Sequence, residues 1–143
     1  MPRYQKLLIV LDMSDDSDQV VMAAQDLVTG SHAAIVVLHV VEFVPVEPMG
    51  ESLMPTVQIE DELVKRSYEK LQRLAARLGL TGASLRVEAG NTKTEILRVA
   101  EEEHADLIVV GSRERHGLAI LVNFTEDTVL HAAHCDVLAV RLR

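Results

Sequence analysis

The segment Gly111-Ser112-Arg113-Glu114-Arg115-His116 follows an apolar run and gathers two guanidinium groups, a carboxylate and an imidazole. Guanidinium forks next to a helix start favour a small oxyanion, because their N–H donors and the exposed backbone N–H groups converge on it. Arg113 and Arg115 are therefore expected to form an anion site. A second cluster, His131, His134 and Cys135, has the H-x-x-H-C spacing of soft metal ligands, since residues three apart share a helix face. No fourth ligand stands nearby in the sequence, and the expectation is no metal. Imidazoles suit the dipole at a helix C-terminus, and Cys135 reads as a small apolar residue entering a strand. His39 lies inside an apolar run with no Ser or Cys nucleophile in an elbow motif to partner it, which makes it a buried structural histidine. Gly90-Asn91-Thr92-Lys93-Thr94 lacks the G-x-x-x-x-G-K-[S/T] spacing of a phosphate loop and is accounted for as a turn plus a helix cap. No residue is assigned a catalytic role.

The elements that must position these groups follow from periodicity. Lys6 to Asp12 (KLLIVLD) is a continuous apolar run, the pattern of a strand covered on both faces. Ser14 is placed as the cap of the next segment. There Asp15, Asp16 and Asp18 suit a helix start, and Val20, Val21, Ala23, Ala24, Leu27 and Val28 recur at helical spacing up to Gly30. Ala33 to Val41 repeats the buried-strand pattern, and Glu42 to Pro55, with three prolines and Gly50, is a long loop. Its Met49, Met54 and Pro55 suit either a lid or a partner surface. The spacing of Ile59, Leu63, Leu71, Leu74 and Leu78 predicts a helix from about Gln58 to Leu78. Ala83 to Ala89 alternates weakly, as a short strand near a sheet edge does. Thr92 with Glu95 forms a capping box for a third helix, with Ile96, Leu97, Val99 and Ala100 inward and Glu101, Glu102 and Glu103 solvated. Asp106 to Gly111 and Val137 to Leu142 supply the last two strands.

Strands alternating with helices imply right-handed crossovers in one α/β domain over residues 1–143. The sheet is open, parallel and five-stranded, in the order 3-2-1-4-5 with helices on both faces. The ligand crevice of such a sheet lies beyond the carboxyl ends of the strands where the winding reverses, here between strands one and four. That points to Asp12 and to the segment beginning at Gly111.

Composition narrows the partners. Apolar residues make up 48% of the 143, yet aromatics are only 3% and Trp is absent, so stacking platforms for single-stranded nucleic acid are scarce. The net charge of −8 repels phosphate backbones and anionic lipid, which excludes nucleic acid and membrane as expected partners. One cysteine cannot form an internal disulfide, the N-terminus lacks a signal-peptide layout, and no apolar run has the length of a membrane span. The compartment these features suggest is the cytoplasm.

Four pieces in order, LLIVLDMS, VVLHVVE, ADLIVVGSRERHGL and CDVLAV, together resemble the universal stress protein family over essentially the whole chain. The resemblance implies the Rossmann-like, adenine-nucleotide hydrolase-like fold and a division between members that bind ATP and members that do not. It places the difference in a loop of pattern G-x-x-G-x(8 or 9)-G-[S/T] after strand four. Here Gly111 matches the first glycine, Glu114 replaces the second, the third falls on Asn123 or Phe124, and Thr125 can stand for the hydroxyl residue. A carboxylate about 4 Å from a phosphate charge costs on the order of 4 kcal/mol at an effective dielectric near 20. The resemblance also places Asp12 beside a nucleotide and the backbone of Val40 against its adenine. The reading is a dimeric stress-response or regulatory binding protein that is not an enzyme, with a degenerate nucleotide loop and no cofactor. The alternative is an ATP- or AMP-binding switch with slow or no hydrolysis, in which Arg113, Arg115 and Thr125 compensate for the missing glycines. A homodimer through the edge strand Val137 to Arg143, and a protein partner, complete the expectation.

Overall fold

Leu7, Leu8 and Ile9 are consecutive and fully buried, which requires apolar layers on both sides of the strand that carries them. A computed structural model supplies both layers, and it describes residues 3–42, 56–113, 129 and 131–143. In chain order the elements are β1 (Lys6–Val10), α1 (Ser17–Val28), β2 (Ala34–Val41), α2 (Thr56–Arg77), β3 (Ser84–Ala89), α3 (Thr92–Glu102), β4 (Leu107–Arg113) and β5 (Asp136–Leu142). The sheet is parallel throughout, in the expected order β3-β2-β1-β4-β5.

Alternate side chains of β1 go to opposite cores, as the period of two requires. Leu7 and Ile9 meet Val20, Val21 and Ala24 of α1 and Leu71 and Ala75 of α2. Leu8 meets Ile96, Val99 and Ala100 of α3 together with Val129, which sits on a helical turn with His131 and Ala132. Two residues expected inside lie outside: Leu27 is 51% exposed and Ile59 36% exposed. A helical stripe has finite width, and α1 keeps Val20, Val21 and Ala24 inward at the expense of Leu27.

Several element ends differ from those the sequence suggests: β1 stops at Val10 and not Asp12, α2 starts at Thr56 and not Gln58, and β5 starts at Asp136 and not Val137. Helix α1 begins at Ser17 with Asp16 at the cap position, so Ser14 is not the cap. The Ser14 N–H donates to the Asp12 carboxylate at 2.9 Å, and its carbonyl accepts from Ser17 at 3.1 Å, making it part of a turn that precedes the helix. Strand β4 runs past Gly111 to Arg113, held by β5, where Gly111 pairs with Val140 and Arg113 with Leu142. Helix α3 is capped by Asn91, whose side chain accepts from the Thr94 N–H at 3.0 Å, and not by Thr92 in a box with Glu95. The N–H and hydroxyl of Thr92 instead both donate to Glu42, at 3.1 and 2.6 Å, and these bonds hold the Glu42 carboxyl below its usual range. Glu95 is engaged by Arg98 at 2.8 Å.

The side chains of β3 that face α3 are charged, and they pair with residues of that helix. Arg86 pairs with Glu88, with Glu102 at 3.2 Å and with Glu103 at 3.7 Å, while Arg98 reaches Glu88, Glu95 and Glu102. Lys6 closes the network on Glu103 at 3.7 Å. Glu102 and Glu103 are therefore ion-pair partners rather than a simply solvated run. At the other edge, β5 is fixed at both ends. The Tyr4 hydroxyl and the Arg3 guanidinium donate to Asp136 at 2.8 and 3.2 Å, and the Gln19 amide exchanges two hydrogen bonds with the Arg143 backbone. Among the described residues no helix is long and apolar enough to cross a membrane. The long loop's Met49, Met54 and Pro55 lie outside the described residues.

The cap assignment has a direct consequence. Asn91→Ala should cost about 1 kcal/mol in urea unfolding, because it strips the acceptor from the first turn of α3. If the capping box were the operative device, Asn91→Ala would be silent and Glu95→Ala would carry that cost through the cap alone.

Candidate ligand crevice

The winding reverses between β1, whose next neighbour in the chain is β2 on one side, and β4 on the other. Beyond the carboxyl end of β1 lie Leu11 to Ser14, and beside them the last residues of β4, Gly111 to Arg113, extend past the stretch that pairs with β1. Leu11 is tied to β2 twice: its N–H donates to the Leu38 carbonyl at 2.9 Å, and its carbonyl lies 2.7 Å from His39 Nδ1. A carbonyl only accepts, so Nδ1 carries the proton and the ring orientation is set. His39 is half-buried and not buried as expected, and its bond to Leu11 braces the crevice floor.

After this brace the chain turns sharply. Asp12 is exposed and its Oδ1 accepts from the Ser14 N–H, which closes a turn around Met13. Met13 has φ 60°, the left-handed region that a residue with a side chain seldom occupies, and its side chain packs against the α1 face of the core. The Asp12 carboxylate thus holds the backbone of its own loop. Val40 is 8% exposed and points into the α3-side core, leaving its backbone in β2 opposite Glu88 as the part that faces a neighbour. Ser17, at the start of α1, is 1% exposed, and its hydroxyl has no hydrogen-bond partner among the described residues. Such a group carries a desolvation cost of about 1–3 kcal/mol. Nothing in the sequence marks it out, because Ser at a helix start is ordinary.

Gly111 has a reason of its own. A Cβ at this position would stand 2.9 Å from Leu142 Cδ1 and 3.3 Å from Val20 Cγ2, so the missing side chain lets α1 and β5 close over β4. That space is filled by the Leu142 and Val20 side chains. Arg113 ends β4, beside Leu142 of β5. Arg115, Asn123 and Thr125, with Glu114, His116 and Phe124, lie outside the described residues. The structure therefore brings Asp12, Ser17 and Gly111 to one end of the sheet and leaves the rest of the predicted loop without a described position.

His131, His134 and Cys135 do not converge as ligands: among the described residues no three His, Cys, Asp or Glu side chains gather to hold a metal. The two histidines are exposed and Cys135 packs at the margin of the α3-side core. Burial and then the nearby Asp136 and Asp106 push its thiol above the ordinary range, so it is held protonated.

The packing role of Gly111 is measurable. Gly111→Ala should lower stability by about 1 kcal/mol and Gly111→Val by about 3 kcal/mol in ligand-free urea unfolding, from overpacking against Val20 and Leu142. A glycine needed only to admit phosphate would give an alanine variant of equal or higher stability.

Comparison with known proteins agrees with the architecture. The family model described as the universal stress protein family matches residues 3–141. Universal stress protein A homolog 2 of Coxiella burnetii is 33% identical over 144 residues, covering 100% of this chain and 99% of that protein. Homolog 1 of the same organism is 31% identical over 141 residues, covering 98% of each. Among solved structures, a universal stress protein in complex with cAMP superimposes with a TM-score of 0.72 at 23% identity, covering 98% of this chain and 99% of that one. The universal stress protein UspA from Lactobacillus plantarum gives 0.69 at 22% identity, covering 97% and 99%. At those identities the structures establish the shared fold. With the family match over nearly the whole chain, this protein belongs to the universal stress protein family.

Proposed function

We propose that this chain is a non-enzymatic, homodimeric binding or regulatory protein of the cytoplasm that engages a protein partner, with its nucleotide loop degenerate. The observation that carries the reading is the occupied space at Gly111. The first position of the glycine motif is accounted for by Leu142 and Val20, so its presence does not argue for a phosphate site. Glu114, in the place of the second glycine, would add a like charge next to any phosphate. Asp12 spends a carboxylate oxygen on its own turn, which is a role independent of any ligand. The cytoplasmic assignment rests on the single cysteine and the composition.

A structural neighbour was solved in complex with cAMP, which makes an adenine-nucleotide switch the reading to test against. Calorimetry with Mg-ATP should show no binding, or binding weaker than about 1 mM, which corresponds to roughly −4 kcal/mol. Replacing Glu114, Asn123 and Phe124 with Gly, Gly and Ser should raise the affinity. A micromolar dissociation constant for the unmodified protein would reverse the assignment.

The dimer rests on a contrast between the two edges of the sheet. The β3 strand carries the charged residues Arg86 and Glu88 in its middle, and charge within an edge strand discourages strand addition. The β5 edge runs from Val137 to Val140 without charge, and Ala139 is exposed on it. Two-fold symmetry would place two such strands antiparallel, each meeting its own copy. Light scattering should give the mass of a dimer at micromolar concentration. Ala139→Pro removes a ladder donor and Ala139→Lys sets like charges across the axis, and each should shift the mass toward monomer. A monomeric unmodified protein would rule the arrangement out.

A further inference from the structure

At the end of the sheet opposite the crevice, a cleft of about 340 Å³ opens between the C-terminal end of α3 and the approach to β5. This volume lies within the range of about 300–1,000 Å³ usual for small-molecule sites. Its floor is apolar, made by Leu97, Ala100 and Ala133 with the buried Ile108 beneath them, and its rim is polar, made by Glu101, His104 and His134. We propose that this cleft binds a small organic cation with an apolar body, of the arylalkylammonium class.

The sign of the ligand's charge follows from what surrounds the cleft. Helix α3 directs its C-terminal end there, and a helix end of this polarity carries partial negative charge. Glu101 adds a full carboxylate, and no Lys or Arg is among the lining residues. The net charge of −8 acts in the same direction. An anion would be repelled by each of these, and a metal ion would need a grouping of ligands that the described residues do not provide. Cys135 also lines the cleft and, held as a thiol by burial, leaves that wall neutral. Imidazole nitrogens and a carboxylate can accept from an ammonium group while the floor takes an aromatic ring.

The backbone at His104 is the second, independent observation. The end of α3 is closed by two bonds, from Ala105 N–H to the Ala100 carbonyl at 2.9 Å and from His104 N–H to the Glu101 carbonyl at 3.2 Å. This arrangement puts His104 in the left-handed region, at φ 53°, where glycine is the usual occupant. The chain thus bears a conformational cost to place an imidazole on the cleft rim, and strain of this kind concentrates where a side chain has a task.

The test is a titration of the full-length protein with benzylammonium, benzyl alcohol and benzoate at matched ionic strength, followed by NMR at the Leu97 and Ile108 methyl groups. Benzylammonium should give saturable shifts confined to the cleft, with an affinity roughly tenfold or more above that of benzoate. Ala133→Leu, which fills the cleft, should abolish the shifts. Glu101→Gln should narrow the preference for the cation over benzyl alcohol. His104→Gly should raise thermal stability by relieving the left-handed residue and should weaken benzylammonium binding several-fold, so a binding loss there cannot come from unfolding. The proposal is overturned if benzylammonium gives no saturable shift, if benzoate binds as well, if the shifts are spread over the acidic surface, or if they survive in Ala133→Leu.

Discussion

The structure depends on one strand being apolar on both sides. Because Leu7, Leu8 and Ile9 are all fully buried, β1 cannot lie at an edge or face water, and every other element is arranged to cover it. Helices α1 and α2 take one face and α3 the other, with β2 and β4 alongside. Placing β1 in the centre also creates the winding reversal that opens a crevice beside it. Fold and crevice thus have one physical origin, the removal of a short aliphatic run from water.

The two edges meet the same problem in different ways. An edge strand exposes unpaired backbone donors and acceptors, which invite another chain. On β3 stands a lattice of arginines and glutamates drawn from β3 and α3, in which Arg86 and Glu88 are half-buried. On β5 the charged residues stand at the ends: Asp136 is bound by Tyr4 and Arg3, and Arg143 by Gln19. The apolar middle of β5 keeps its register with β4, and among the described residues no strand pairs with its other side.

How much of this was legible in the sequence depends on the range of the interaction involved. The buried strands were legible because a run such as LLIV has only one economical environment, and the strand order followed from chirality and alternation. Helix starts were less so. Asn91 and Thr92 are both good cap residues, and what separates them is Glu42, fifty positions earlier, which claims the Thr92 hydroxyl. Ser14 was passed over for a similar reason, since the Asp12 side chain takes its N–H into a turn. The end of β4 at Arg113 rather than Gly111 is set by its pairing with β5, which no local pattern encodes. At the crevice, Asp12 and Gly111 were identified from a pattern, while their neighbours in space, Leu142 and Val20, were invisible to it. The cleft beside His104 has no sequence signature, because Leu97, His104 and His134 meet only through the fold.

The parallel arrangement of β1, β4 and β5 has a mechanical side. Lys6 opens β1 at the amino edge of the sheet, and Arg143 follows the carboxyl end of β5 at the opposite edge. A force drawing these two residues apart runs along the strands and not across them. The hydrogen bonds that join β1 to β4 and β4 to β5 are then loaded side by side, in shear, and must yield together. A hairpin pulled at its open end gives way one bond at a time. The protein is thereby stiff to tension applied between Lys6 and Arg143.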